Sequence, residues 1–147
     1  MYRHLKKLLT GVLSLTVLCA AAMPSMALDG TGNVASVDGQ EYATVQEAIN
    51  NGNGKTVTLL DDAKENVVIP EGATVTLDLG TFTLANDGAS HTITNKGTLT
   101  IQGSGKVDNE NHGKAALWNE GTAVLNGGTF DRSKEAGSSA EASGSNS

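Results

Sequence analysis

The nine residues ITNKGTLTI at positions 93–101 decide the fold of this 147-residue chain, because they recur along it at a fixed step. The stretch LWNEGTAVL follows 24 residues later at 117–125, and TVTL at 74–77 precedes TLTI at 98–101 by the same 24 residues. A constant period of this length is typical of repeat proteins in which each repeat forms one coil of a solenoid.

Apolar and polar residues alternate within each repeat, which is the pattern of a strand with one buried face. The residues predicted to face inward are aliphatic: Val75, Leu77, Leu99, Ile101 and Leu125. The residues predicted to face outward are threonines: Thr74, Thr76, Thr98, Thr100 and Thr122. Because equivalent residues stack from coil to coil, aliphatic side chains can fill a narrow core, and this accounts for an aromatic content of only 3%.

Two further groups of residues keep nearly the same period, so each coil is predicted to contain three strands. One group follows the 24-residue step: Ile69, Ile93 and Leu117. The other follows steps of 23 to 25 residues: Val57 with Leu59, Phe82 with Leu84, Val107, and Phe130. Strands of successive coils lie about 4.8 Å apart, so each face is predicted to be a parallel sheet. The predicted fold class is an all-β parallel β-helix solenoid of about three coils.

One short helix is predicted at residues 44–50, before the first strand of the solenoid. Thr44 and Glu47 form a capping box, and the run NGNG at 51–54 ends the helix. Its apolar face consists of Val45, Ala48 and Ile49. We expect this face to cover the N-terminal end of the solenoid.

Two asparagines and two glycines mark one corner of the coil. Asn95 and Asn119 have inward parity one repeat apart, so a stacked pair can pass amide hydrogen bonds from coil to coil. Gly97 and Gly121 follow them and suit a left-handed backbone at a tight turn. The earlier coil has PEG at 70–72 instead, so this asparagine ladder is predicted to start one coil late.

Residues 1–27 have the three parts of a secretory signal peptide. A basic start precedes an apolar run at 8–22, and SMA at 25–27 supplies small residues before a cleavage site at Leu28. A single membrane anchor is the alternative, but the apolar run is short for a span of about 20 residues. Cleavage is therefore the prediction.

Removal of the signal peptide changes the charge and the cysteine content of the chain. Sixteen acidic and seven basic residues remain, and the single Cys is lost. An acidic chain without thiols suits a secreted, extracellular protein, and no membrane contact is expected after cleavage. The predicted organisation is a lead-in at 28–43, the solenoid with its helix at 44–131, and a disordered tail at 132–147 that is rich in Ser, Gly, Ala and Glu.

The units ITNKGTLTI at 93–101 and LNGGTF at 125–130, with the short helix and the stacked asparagines, resemble right-handed parallel β-helix proteins. More narrowly, they are similar to the pectin-lyase-like repeat segments of large bacterial cell-surface proteins, over residues 34–131. The resemblance implies a right-handed coil. Members of this architecture include polysaccharide lyases, glycoside hydrolases, adhesins and surface stalks, so the resemblance leaves the activity open.

Composition and spacing argue against several function classes. The formal net charge of −6 disfavours a nucleic-acid partner, and one Cys cannot form a disulfide or a Cys-based zinc site. GSGK at 103–106 precedes no predicted helix, which excludes a phosphate-binding loop. His91 and His112 fall at different phases of the repeat, so they are not expected to share a metal. We predict no cofactor and no metal.

The acidic residues have the chemistry that a calcium or catalytic site needs, but their spacing does not bring them together. Asp61 and Asp62 are a candidate pair for Ca²⁺, but adjacent side chains point apart, and a solvated turn is the preferred interpretation. Asp78 is outward, and its equivalents one and two coils later are Gln102 and Asn126. No column of carboxylates with a basic partner can be assembled on that face, so no catalytic residue is predicted.

Trp118 is the one candidate for ligand contact. It is the only Trp, and its outward parity places it in a predicted column with Thr94 and Pro70. An exposed indole can stack on a sugar ring. The alternative is that a loop or the tail covers it.

The sequence predicts a secreted or cell-surface structural or adhesive module without a catalytic site, whose partner is a glycan or another surface protein. The alternatives are a fragment of a polysaccharide lyase or glycoside hydrolase, or a truncated surface protein with no independent activity. Residues 131–147 contain no Val, Ile, Leu, Met or aromatic residue that could cover the last coil. We therefore expect self-association through that open C-terminal coil.

Overall fold

The computed structural model describes residues 32–135. The predicted signal peptide, the first residues of the lead-in and the tail beyond residue 135 lie outside the described residues. The elements in chain order are β1 (Ala35–Val37), β2 (Gln40–Tyr42), α1 (Val45–Asn50), β3 (Lys55–Leu59), β4 (Ala63–Lys64), β5 (Val67–Ile69), β6 (Thr74–Asp78), β7 (Thr83–Asn86), β8 (Ile93–Asn95), β9 (Thr98–Gln102), β10 (Lys106–Asn109), β11 (Leu117–Asn119), β12 (Thr122–Leu125), β13 (Thr129–Asp131) and a 3-10 turn (Ser133–Glu135).

The strands form three sheets, one on each face of a coiled chain. Face A has the strand order β12-β9-β6-β3-β1-β2, face B has β13-β10-β7-β4, and face C has β11-β8-β5. All pairs are parallel except those that β1 makes with β2 and β3, which are antiparallel. The predicted fold class is confirmed: the chain is a parallel β-solenoid of about three coils with one short helix near the N-terminal end.

Face A has the predicted register. Leu77, Ile101 and Leu125 are in line on β6, β9 and β12, and the outward threonines Thr74 and Thr98 are paired in the same way. Leu77 and Ile101 are fully buried, but Leu125 is 43% exposed because it lies on the last coil. The inward assignment is therefore correct by register, and the burial of a column ends where the coils end.

The first coil departs from the predicted register in two places. Residues 55–59 lie on face A, where Val57 pairs with Leu77, so the prediction that Val57 and Leu59 begin the face B column is wrong; Ala63 begins it instead. On face C, Ile93 pairs with Val67 and not with Ile69. The physical reason for the shift on face C is corner length: four residues, 70–73, separate β5 from β6, whereas two, 96–97, separate β8 from β9.

The N-terminal end of the solenoid is closed by α1 and by side chains that replace missing strands. Thr44 caps the helix by accepting the backbone N–H of Glu47. The Glu65 carboxylate accepts the N–H groups of Val45 and Gln46, both at 3.0 Å. The Gln46 amide pairs with both backbone groups of Val68, accepting its N–H at 2.7 Å and donating to its carbonyl at 3.0 Å. The Gln46 amide thus makes the two hydrogen bonds that a neighbouring strand would make at the outer edge of β5.

The corners of the coil are built from one recurring turn. A side-chain oxygen at the end of a strand accepts the backbone N–H two residues later. The four examples are Asp78 to Gly80 (2.9 Å), Asn86 to Gly88 (3.1 Å), Asn95 to Gly97 (3.1 Å) and Asn109 to Asn111 (2.9 Å). Asn and Asp therefore end strands here because their side chains satisfy the backbone where the sheet hydrogen bonds stop.

The face A column gives a direct test of the core. Ile101→Ala should lower the free energy of unfolding by about 2–5 kcal/mol, because it opens a cavity between Leu77 and Leu125. Thr100→Ala, one residue away and outward, is the control and should cost much less. Urea unfolding of both variants measures the difference, and equal losses would contradict the inward position of Ile101.

Candidate functional site

Asn95 and Asn119 are brought together across two coils. Asn95 is fully buried, and its Nδ2 donates to Asn119 Oδ1 at 2.7 Å and to the Thr122 carbonyl at 2.8 Å. Asn119 is exposed, and its own Nδ2 donates to the Gly121 carbonyl at 3.0 Å. The buried member of the pair is therefore the one that supports the corner.

A second asparagine pair went unrecognised in the sequence. Asn86 and Asn109 are paired in register at the ends of β7 and β10, and both are buried. Their Nδ2 atoms donate to the same carbonyl, that of Ser90, at 2.9 and 3.1 Å. Asn109 Nδ2 also donates to Thr92 Oγ1 at 3.0 Å. The signal that could have found this pair is the 23-residue spacing of two asparagines at matched strand ends.

Gly97 and Gly121 are not in the left-handed region, so that explanation for them is wrong. They are required because the coils approach too closely for a side chain. A Cβ on Gly97 would overlap the carbonyl oxygens of Ala73 and Pro70, and one on Gly121 would overlap the carbonyl oxygen of Gly97. Each glycine therefore lets the backbone of one corner lie directly on the corner below it.

Trp118 lies on the outward side of β11 and is 44% exposed. In register it pairs with Thr94 and then Val68, so the predicted column with Pro70 is wrong. Its indole stacks on the imidazole of His91, with 4.7 Å between ring centroids and 13° between ring planes. A stacked ring restrains the rotation of the indole, so Trp118 presents a fixed apolar surface.

His91 is held neutral by its surroundings. Burial, reinforced by the positive charges of Lys114 and Arg132, lowers the pKa of His91 from its usual 6.5, although Glu120 acts in the opposite direction. His91 Nδ1 accepts the backbone N–H of Ala115 at 2.9 Å, which requires an unprotonated nitrogen. The ring therefore both supports Trp118 and pins the corner before β11.

Charged side chains surround the stacked rings. Arg132 Nε donates to the Lys114 carbonyl at 2.9 Å, which ties the chain after β13 to the corner before β11. Both cations, and Glu120, act on the charge state of His91. We call these five residues the Trp118 patch: His91, Lys114, Trp118, Glu120 and Arg132.

Face B contains a cluster of carboxylates with a basic partner, which was not predicted from the sequence. Lys106 Nζ lies 3.1 Å from Asp108 Oδ2 and 3.5 Å from Asp131 Oδ2, on two neighbouring coils. The buried Asp108 carboxylate also accepts the N–H of Ser133 at 3.0 Å. The hydrogen bond that Lys106 donates to Asp108 raises the pKa of Lys106, so the amine stays protonated and is a poor general base. This cluster joins the last coil to the one before it.

The other acidic candidates serve the fold. Asp62 accepts the N–H of Thr83 at 2.8 Å, and Asp61 accepts that of Asp62 at 2.8 Å. Asp78 receives the amide of Gln102, one coil later, at 2.9 Å. No group of three acidic, His or Cys residues within 32–135 is arranged to hold a metal ion. In the same part of the chain, no helix has the length and apolar character that crossing a membrane requires.

Comparison of the chain with protein-family models, with curated proteins and with solved structures finds no match.

The buried asparagine predicts a loss of stability. Asn95→Ala removes two donated hydrogen bonds and one accepted bond, and should lower the free energy of unfolding by about 1–3 kcal/mol, because buried backbone groups lose their partners. Asn126→Ala is the control, since Asn126 is exposed. Chemical denaturation compares the two, and a silent Asn95→Ala would show that the corner is held without this amide.

His91 predicts a dependence of stability on pH. The unfolded chain has the ordinary His pKa near 6.5, and the folded chain has a lower pKa, so the unfolded state binds the proton first as pH falls. The contribution of His91 is therefore complete above pH 6.5 and declines as pH falls below that value. Trp118 fluorescence reports unfolding between pH 7 and about pH 5, a range in which few other groups titrate.

His91→Gln is the matched variant for this test, because glutamine can accept the Ala115 N–H but does not titrate. Its stability should change less with pH than that of the parent chain. Parallel pH profiles for the two proteins would contradict the assignment.

Proposed function

We propose that this protein is a secreted or cell-surface β-solenoid module that acts by contact rather than catalysis, and that Trp118 binds a sugar ring of a glycan. The observation that carries the proposal is the exposed indole of Trp118 stacked on neutral His91. Flat apolar rings of this kind stack on the apolar faces of sugars. The rest of the chain supplies a rigid support.

The surroundings of Trp118 support this proposal. A ligand that meets a ring already held in place loses less entropy on binding than one that must order a free side chain. Lys114, Arg132 and Glu120 supply polar groups near the rings, and sugar recognition combines an apolar surface with a few such groups. The exposed half of the indole is available for contact.

The proposal includes an extracellular location and a family relationship. The basic, apolar and small-residue segments of 1–27 favour export, and the acidic, Cys-free remainder suits an extracellular setting. The repeats ITNKGTLTI and LWNEGTAVL favour kinship with the pectin-lyase-like solenoids of bacterial surface proteins. On this proposal the acidic coils act as a short rod that displays the Trp118 patch.

A polysaccharide-cleaving enzyme is the second candidate. The cluster of Lys106, Asp108 and Asp131 favours it, because glycoside hydrolysis uses a pair of carboxylates and this cluster brings two together from neighbouring coils. The raised pKa of Lys106 and the burial of Asp108 weigh against it. Both are the properties of an ion pair that holds coils together.

A glycan array followed by calorimetric titration of the best ligand tests the proposal. Trp118→Ala should weaken binding by at least about tenfold, the effect expected when an aromatic anchor is removed. Leu60→Ala is the matched control, since Leu60 is also a large exposed apolar residue (37%) and lies outside the Trp118 patch, and it should bind as the parent does.

Two results would contradict glycan contact at Trp118, namely no binding to any glycan and equal binding by the two variants. Cleavage of the ligand would contradict action by contact rather than catalysis. Shortened glycan chains in the titration mixture would favour the enzyme. In that case Asp131→Asn should abolish the cleavage.

A further inference from the structure

Within residues 32–135, the C-terminal end of the solenoid has no strand beyond its last coil on any of the three faces. β11, β12 and β13 are the last strands of their sheets in this part of the chain, so each has one edge without a strand partner there. Five large apolar residues are exposed within 32–135, and three of them, Trp118, Val124 and Leu125, lie on β11 and β12. Unpaired edges with apolar side chains are the usual sites of strand-to-strand association.

The C-terminal end of one copy cannot stack on the N-terminal end of another. β1 and β2 extend face A with antiparallel strands, α1 covers the core, and the Gln46 amide occupies the edge of β5. Stacking of copies from head to tail would have to displace these groups. An association through the open end is therefore limited to two copies that meet end to end.

The charge of the chain also favours contact between two C-terminal ends. Residues 32–71 contain seven acidic and two basic residues, and 72–113 contain four and two. Residues 114–135 contain three of each, so the last coil is neutral while the first is strongly acidic. Two last coils can meet without the like-charge repulsion that the acidic end would impose.

The shape of the open end is complementary to itself. The last coil is a ramp that rises from β11 on face C, through β12 on face A, to β13 on face B. A two-fold axis just beyond the free edge of β12, perpendicular to the solenoid, sets the high β13 of one copy against the low β11 of the other. β12 then meets β12 of the second copy in antiparallel pairing.

Alternation of side chains selects the register of that pairing. Inward residues must face inward residues, so the axis has to lie beside a residue rather than beside the bond between two residues. If it lies beside Val124, this residue meets its own counterpart on the outer side. On the inner side the small Ala123 then faces the large Leu125 of the second copy, and Leu125 faces Ala123 of the second copy. Both exposed apolar residues of β12 become buried.

We propose that the chain forms a closed two-fold dimer through its C-terminal coil, with β12 paired antiparallel to β12 of the second copy about an axis that lies between the two Val124 residues. The occupant is a second copy and not the chain's own tail, since residues 136–147 contain no Val, Ile, Leu, Met or aromatic residue to cover Val124 and Leu125. The proposal does not rest on glycan binding at Trp118, although β11, which carries Trp118, then lies beside β13 of the second copy.

Sedimentation equilibrium of the full chain tests the proposal. The parent should show a monomer–dimer equilibrium with no larger species. Val124→Lys sets two like charges together at the axis and should raise the dissociation constant by at least about tenfold. Val68→Lys is the matched control, because Val68 is outward and 36% exposed on the first coil, and it should not change the equilibrium.

Cross-linking provides a second measurement that does not depend on destabilising the contact. In a Cys19→Ser background, V124C should form a disulfide-linked dimer on mild oxidation, because residues opposed on antiparallel strands have Cα atoms about 4.5–5.5 Å apart. T100C is the control, since Thr100 occupies the equivalent outward position one coil earlier. It should stay monomeric on a non-reducing gel.

Four results would overturn the proposal. They are a parent that is monomeric at every concentration, an assembly that grows beyond the dimer, a Val124→Lys variant that associates as the parent does, and equal cross-linking of V124C and T100C. A monomeric parent would leave another protein as the occupant of this end.

Discussion

Backbone hydrogen bonding between successive coils is the constraint on which the rest of this structure depends. Because the strands of each face pair in parallel and in register, a residue lies on its equivalent one coil earlier at a spacing of about 4.8 Å. That spacing leaves no room for a Cβ where corner lies on corner, as at Gly97 and Gly121. It also lets the Asn95 amide reach both Asn119 and the Thr122 carbonyl.

The sequence reveals this register where the corners have equal length and misses it where they do not. The β9 and β12 strands are predictable because two residues separate each of them from the strand before. The β5 strand is displaced because Pro70 and Gly72 belong to a longer corner, a property of backbone path that periodicity of side chains does not encode. The face B column is misassigned for a different reason: β4 is only two residues long, so its side chains carry a weak periodic signal.

Parity predicts that Trp118 is outward, but not what it touches. Its partner His91 comes from a corner, where neither alternation nor period applies, so only the folded chain brings the two rings together. The same holds for Lys106 with Asp131, which lie on different coils and at different positions within their strands. The sequence pattern therefore does not predict contacts made by corner residues or contacts between different strand positions on neighbouring coils. The polar and aromatic clusters of this protein lie at these places.

The Gln46 side chain, which takes the place of a strand beside β5, makes the N-terminal end a self-contained template. The contacts that close this end join residues separated by about one coil of sequence, so the cap and the first coil can form from one continuous segment. Each later coil then adds to an edge that already exists, as in other repeat proteins whose folding spreads between neighbours. We therefore expect folding to spread from this end and unfolding to begin at the last coil. A chain that leaves the ribosome N-terminus first presents its parts in that expected order.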